Sequence, residues 1–201
     1  MARRSGAGAT LALLLCGCVT VRGGSKPVAS PWPPPSAAPR PTLALVVAGE
    51  APTDSFGVDL APALPRWRDA IEGAYRESDL LADLADGLGP ADINVHVRTH
   101  AERRRPRALT VLAQTTLFIV PTVTTTEIIM ETDVSTAAGT RLSSTRTSGI
   151  GRTWSEVLLL PATAFFRPEN VTPPIVYDLA RASICELYRQ GAFTVTATSP
   201  M

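Results

Sequence analysis

The sequence holds little of what most catalytic and scaffold chemistry needs. It has two histidines and three cysteines in 201 residues. Two of those cysteines, Cys16 and Cys18, stand within the first 18 positions, which excludes a disulfide framework spread along the chain. Charge of one sign is missing as well: 19 basic residues face 18 acidic ones, for a net charge of +1. A dedicated nucleic-acid binder carries a basic excess, so no nucleic-acid partner is expected. No apolar run reaches the ~20 residues of a membrane-spanning helix. A wholly disordered chain is excluded by the 45% hydrophobic content at near-zero net charge. The length suits one globular domain of roughly 100–200 residues.

Constellations for catalysis and metal binding are also missing. His96 falls on an alternating segment that predicts a strand, and His100 in the loop after it. No Glu or Cys completes a metal set with them at a known spacing. Cys185 is alone on a predicted helix and reads as a small buried hydrophobe. There is no Gly-x-Ser-x-Gly elbow to expose a nucleophilic serine, and Gly149-Ile150-Gly151 is too short for a dinucleotide loop. The expectation is a protein that is not an enzyme, with no catalytic residue, no metal and no cofactor.

What the sequence does have begins at its N-terminus. Arg3 and Arg4 supply a positive region, and Ala7 to Leu15 a short apolar one, the proportions of a secretory signal. Leu15-Cys16-Gly17-Cys18 resembles the lipobox of bacterial lipoproteins: a leucine, two small residues, then the cysteine that is lipidated and becomes the mature N-terminus. A frame ending at Cys16 would put leucines where small residues belong. The resemblance implies a signal peptide over 1–17 and lipidation at Cys18. It also implies a permanent anchor, since several acyl chains hold where one gives only marginal binding. Val19 follows the cysteine. Asp at that place retains lipoproteins in the inner membrane of enteric bacteria, so the outer membrane is favoured.

Residues 18–41 are read as the lipidated cysteine and a Pro-rich tether. Pro31, Pro33, Pro34, Pro35 and Pro39 favour extended polyproline geometry, about 3.1 Å per residue and up to ~70 Å in all. Trp32 within the tether is given no role.

The globular domain is placed at 42–201. Leu43 to Val47 predicts a buried strand. Trp67, Ile71, Ala74 and Tyr75 recur at helical spacing. Ser78 caps a second short helix through Leu81, Leu84, Ala85 and Leu88, or the stretch is a turn and a short strand. Ala91 to Arg98 alternates as a half-buried strand. Val123 to Ser135 alternates too, with Ile128, Met130, Thr132 and Val134 inward and Glu127, Glu131 and Asp133 outward. A hairpin at Ala137-Ala138-Gly139 leads into a polar return strand, Thr140–Ser148. Pro173-Pro174 opens a final helix that carries Val176, Leu179, Ala180, Ser183, Ile184 and Leu187 on one stripe and closes at Gly191. The expected fold is α+β, a two-layer sandwich of a mainly antiparallel sheet with two or three helices on one face.

That order resembles the small α+β domains of bacterial envelope lipoproteins. The resemblance covers about residues 42–193 and rests on Leu109-Thr110, Pro121-Thr122, the hairpin at Gly139, Trp154, Leu158-Leu159-Leu160-Pro161 and the final helix. It is one of pattern, and most such domains have no assigned activity.

Two features bear on surfaces. The segments 108–120 and 157–166 are unusually apolar; a buried core is the preferred reading, a membrane- or partner-facing surface the alternative. Arg103, Arg104, Arg105 and Arg107 form the densest charge cluster and are candidates for headgroup contact, although such runs are more often solvated loops. The function expected is a membrane-anchored envelope lipoprotein acting as an interaction or assembly module. Its partners would be the membrane, through the lipid, and an envelope protein. The alternative is a lipid- or glycan-binding protein.

Overall fold

The computed structural model describes residues 17–23, 32–35, 40–50, 60–87, 91–116, 119–156, 159, 165–166 and 168–194. Residues 1–16, where a signal peptide is expected, and parts of the Pro-rich stretch, 24–31 and 36–39, lie outside the described residues.

Six strands form one mixed sheet in the order β1-β6-β5-β4-β2-β3. They are β1 (Gly17–Arg22), β2 (Thr42–Glu50), β3 (Asp83–Asp86), β4 (Ile93–Arg104), β5 (Thr122–Thr136) and β6 (Arg141–Glu156). β2 runs parallel to both β3 and β4, and the other pairs are antiparallel. Three helices complete the chain: α1 (Leu64–Glu77), α2 (Arg107–Thr115) and α3 (Pro168–Arg189). The fold is α+β.

The period-2 patterns decide the two faces. Ile93, Val95 and Val97 of β4 and Ile128, Met130 and Val134 of β5 are buried against Trp67, Ile71 and Tyr75 of α1 and Ile175, Ile184 and Leu187 of α3. The opposite face carries the charged half of each alternation, where Arg104–Glu127 and Arg146–Glu131 pair at 3.6 Å and Arg141–Asp133 at 2.6 Å. Alternation of this kind permits one dry and one wet face.

Several expectations need correction. Residues 17–22 belong to the sheet: β1 pairs along the outer half of β6, so the domain does not begin at 42 and the stretch 24–41 joins two strands of one sheet. The overlooked signal is the alternation Val19-Thr20-Val21-Arg22. Thr20 is buried and bonds Thr153 through its hydroxyl at 2.9 Å, and Arg22 pairs with Asp178 on α3. Trp32 also has a place. It packs against the core, and the Arg181 guanidinium of α3 stacks 4.7 Å from its ring centre. Trp32 of the Pro-rich stretch thus lies against the helical layer.

Strand lengths grow as well. β4 continues through His100, Arg103 and Arg104 because Ala101 still faces the core and β5 offers partners as far as Thr125. His96 and His100 thus share the open face of one strand. β6 runs on to Glu156, and its Gly149 admits α3: a Cβ there would lie 2.7 Å from Ile175 Cγ2. Ser78 does not cap a helix start. It follows the end of α1, where its hydroxyl donates to Tyr75 O at 2.7 Å, and the chain goes on to the short parallel strand β3.

The final helix begins at Pro168, with Pro173 and Pro174 inside it. A proline has no N–H for the carbonyl four residues back. For Pro173 that carbonyl belongs to Glu169, and Arg66 of α1 supplies the missing donor, at 2.8 Å, while also bonding Asn170 Oδ1 at 2.8 Å. Trp67 Nε1 donates to Thr172 Oγ1 in the same turn. α1 thereby holds the turn that the prolines would weaken.

Candidate functional site

One end of the sheet gathers the residues singled out in the sequence. β1 starts there, β6 and β4 finish there, and β5 begins there. Cys18 pairs with Ser155 of β6, and Ser155 on its other side pairs with Thr122, the first residue of β5. Cys18, Ser155 and Thr122 therefore stand in one row. Two strand spacings of about 4.8 Å put the backbone at Cys18 roughly 10 Å from that at Thr122.

The connections at this end are α2 with its flanks, between β4 and β5, and residues 157–167, between β6 and α3. Ala113 is the buried residue of α2, and Leu109, Val111 and Leu112 are exposed. Ile119, beyond the helix, is 73% exposed. On the other side Phe165 is 75% exposed, with Phe166 next to it also exposed. Phe166 O accepts the Thr20 N–H at 2.8 Å, which seats this connection along the outer edge of β1. The preference for a buried core in 108–120 and 157–166 is thus overturned at these positions. The connections leave the sheet at its end, where no second layer covers them. Residues 117–118, 157–158 and 160–164 lie outside the described residues.

The arginine cluster does not form one patch. Strand geometry turns Arg103 and Arg104 to opposite faces. Arg103 lines a void of about 10 Å³ on the helix side, among Thr20, Thr124, Thr126, Thr153 and Thr172. Arg104 lies on the open face beside Glu127. Arg105 is half-buried, and Arg107 is exposed at the start of α2.

Titration is perturbed at few places, and the perturbed groups do not converge. Burial raises the Tyr75 phenol, and its hydroxyl has no hydrogen-bond partner among the described residues. Burial also raises the Cys185 thiol, which keeps it in the unreactive protonated form. Tyr177 is raised first by burial and then by its bond to Glu77. Asp92 is lowered because its carboxylate accepts both the N–H and the hydroxyl of Thr42, each at 2.8 Å. Among the described residues no group of His, Cys, Asp or Glu is set to hold a metal ion. A cleft of about 120 Å³ between β6 and α3 contains Asp178, whose carboxylate is engaged by Arg22.

A second surface lies on the open face. Val19, Trp154 and Val123 form a cross-strand row next to the Cys18 row, with Trp154 and Val21 exposed. This apolar row lies on the face that also carries the ion pairs of β4, β5 and β6.

No family model matches the chain. No curated protein matches it either. Among solved structures it is similar to a minor lipoprotein from Acinetobacter baumannii, 12% identical over 75% of this chain and 90% of that one, with a TM-score of 0.39. It is also similar to the PelC dodecamer from Paraburkholderia phytofirmans, 11% identical over 81% of this chain and 98% of that one, with a TM-score of 0.29. At such scores neither neighbour's role transfers to this chain. No helix among the described residues is long and apolar enough to cross a membrane.

Proposed function

We propose that this chain is a membrane-anchored lipoprotein of the bacterial envelope whose α+β domain acts as a non-enzymatic interaction or assembly module. The observation that carries the reading is the register of Cys18: the lipobox cysteine is the second residue of β1 and sits in a row of the sheet. Acyl chains there would attach to the sheet itself, and the domain would stand on the bilayer with no spacer. In this reading the Pro-rich stretch gives no separation from the membrane, because it follows β1 in the chain and its Trp32 packs on the core.

Partner binding falls to the surfaces the helices leave uncovered. The Val19-Trp154-Val123 row is favoured, because an aromatic anchor among branched apolar neighbours is the kind of group that dominates interface energy. The β5–β6 hairpin lies at the opposite end of the sheet. β5 spans 15 residues, so at about 3.3 Å per residue the hairpin tip reaches roughly 45–50 Å from the anchored end. The absence of Asp after Cys18 favours the outer membrane.

The test is fractionation followed by crosslinking in living cells with a C-terminal tag. Cys18→Ser should move the protein out of the salt-washed membrane fraction. The lipidated protein should capture an envelope protein, and Trp154→Ala should reduce that capture. A Cys18→Ser protein that stays in the washed membranes would overturn the lipid anchor.

A further inference from the structure

The two apolar connections beside the proposed anchor expose large side chains among the described residues, and their positions and charge indicate what covers them. Leu109, Val111 and Leu112 on α2, Ile119 after it, and Phe165 and Phe166 at the edge of β1 are all exposed at one end of the sheet. Large side chains exposed together mark an interaction surface. The chain enters β1 at that same end, where Thr122, which closes the α2 connection, is in the row of Cys18.

The charge is one-sided. From residue 103 to 126 the sequence has four arginines and no acidic residue, and 157–167 has Arg167 and no acidic residue. The acidic groups near this end, Glu50, Glu102, Glu127 and Glu156 on the strands and Glu169 in the first turn of α3, stand outside both connections. A short helix with Leu and Val on its surface, a basic N-terminal flank and nearby exposed phenylalanines has the composition of an interfacial membrane element. Anionic headgroups attract the arginines while the apolar side chains enter the acyl boundary.

We propose that this end is a bilayer-seating face: α2 and the Phe165–Phe166 edge lie in the lipid interface on either side of the acylated Cys18, so that the strands rise from the membrane and the β5–β6 hairpin points away from it. The inference rests on the lipoprotein reading and deepens it. Three contacts, one covalent and two interfacial, would set the domain's orientation as well as its tether. Of the arginine cluster, Arg107 at the start of α2 meets headgroups, and Arg103 does not, because it faces the interior void.

The experiment uses the acylated protein reconstituted into vesicles of phosphatidylethanolamine and phosphatidylglycerol. An environment-sensitive fluorophore is placed on Val111→Cys, on Phe165→Cys and, on the open face away from this end, on Arg146→Cys. Buried Cys185 stays in place, with unsubstituted protein as the labelling control. Nitroxide-bearing lipid should quench the labels at 111 and 165 severalfold more than the label at 146, with blue-shifted emission at the first two. Equal quenching at all three in protein that remains on the vesicles would overturn the seating face while leaving the anchor standing. Labels at 111 shielded from water but unquenched by lipid, with crosslinking between two copies through Val111→Cys, would overturn it in favour of a second copy of the chain. Protein that carries no acyl chain, found by mass spectrometry, would remove the anchor reading and this proposal with it.

Discussion

α2 and α3 are both rich in leucine, valine and alanine, yet they meet opposite fates. α3 lies on the sheet beside α1, and Ile175, Val176, Ile184 and Leu187 are almost completely buried. α2 joins β4 to β5 past the last row of the sheet and buries Ala113, while Leu109, Val111 and Leu112 remain in contact with solvent. Helical periodicity alone does not separate the two cases. What separates them is whether another layer stands above the element, and that follows from where in the sheet the connection occurs.

Substitutions probe the contrast directly. The largest effect is expected at Ile184→Ala in α3, where deletion of a fully buried side chain leaves a cavity; unfolding by denaturant should show a loss of about 2–5 kcal/mol. Gly149→Ala should follow at about 1–3 kcal/mol, because the new methyl meets Ile175 and pushes α3 from the sheet. The same measurement on Arg66→Ala should give about 1 kcal/mol, the net value of a hydrogen bond to the carbonyl that Pro173 leaves unmatched. If Arg66→Ala were silent, the stabilisation of the proline-containing turn by α1 would be wrong. On α2, Val111→Ala should change stability by less than about 0.5 kcal/mol, even though lipid quenching at that position is expected to be strong. A loss as large as that at Ile184 would mean that α2 is packed after all.

Acid behaviour gives a finer test at the far end of the sheet. Thr42 and Asp92 clamp β2 to the approach of β4, with Asp92 N–H in turn donating to Thr42 Oγ1 at 3.0 Å. Those bonds to the ionised carboxylate hold Asp92 below its ordinary value of 3.8. The folded form thus releases this proton more readily than the unfolded chain. The clamp's contribution is complete above that ordinary value and fades as pH falls through the lower folded value. Asp92→Asn should lose stability near neutral pH and show a shallower fall between pH 5 and 2 than the parent, followed by circular dichroism.

Much of the interior was legible. The alternations of β4 and β5 placed Val95, Val97, Ile128 and Met130 inward, and the spacing of Trp67, Ile71 and Tyr75 predicted the amphipathic helix α1. These are regular patterns with a chemical contrast between faces, so burial follows from the period. β1 was missed because its run is short and sits between a lipobox and a glycine pair; only the unpaired outer half of β6 turns it into a strand. The arginines were visible as a cluster, but their separation needs the strand: once β4 reaches Arg104, neighbouring residues must take opposite faces. The helix start at Pro168 was hidden because a proline pair ordinarily opens a helix, and the donor that permits it inside one comes from 103 residues away in the chain.

The sequence by itself determined the α+β class, the inward and outward faces of the long strands and the hairpin at Gly139, and it carries the resemblance to a lipobox ending in Cys18. Each depends on local spacing or on a short motif. Tertiary structure alone decided that Cys18 lies in a row of the sheet, that Trp32 packs on the core, and that α2 is left uncovered at the end of the sheet where β1 starts. Those outcomes depend on which strands become neighbours. Strand neighbours are chosen by the packing of the whole sheet, which no local run of residues encodes.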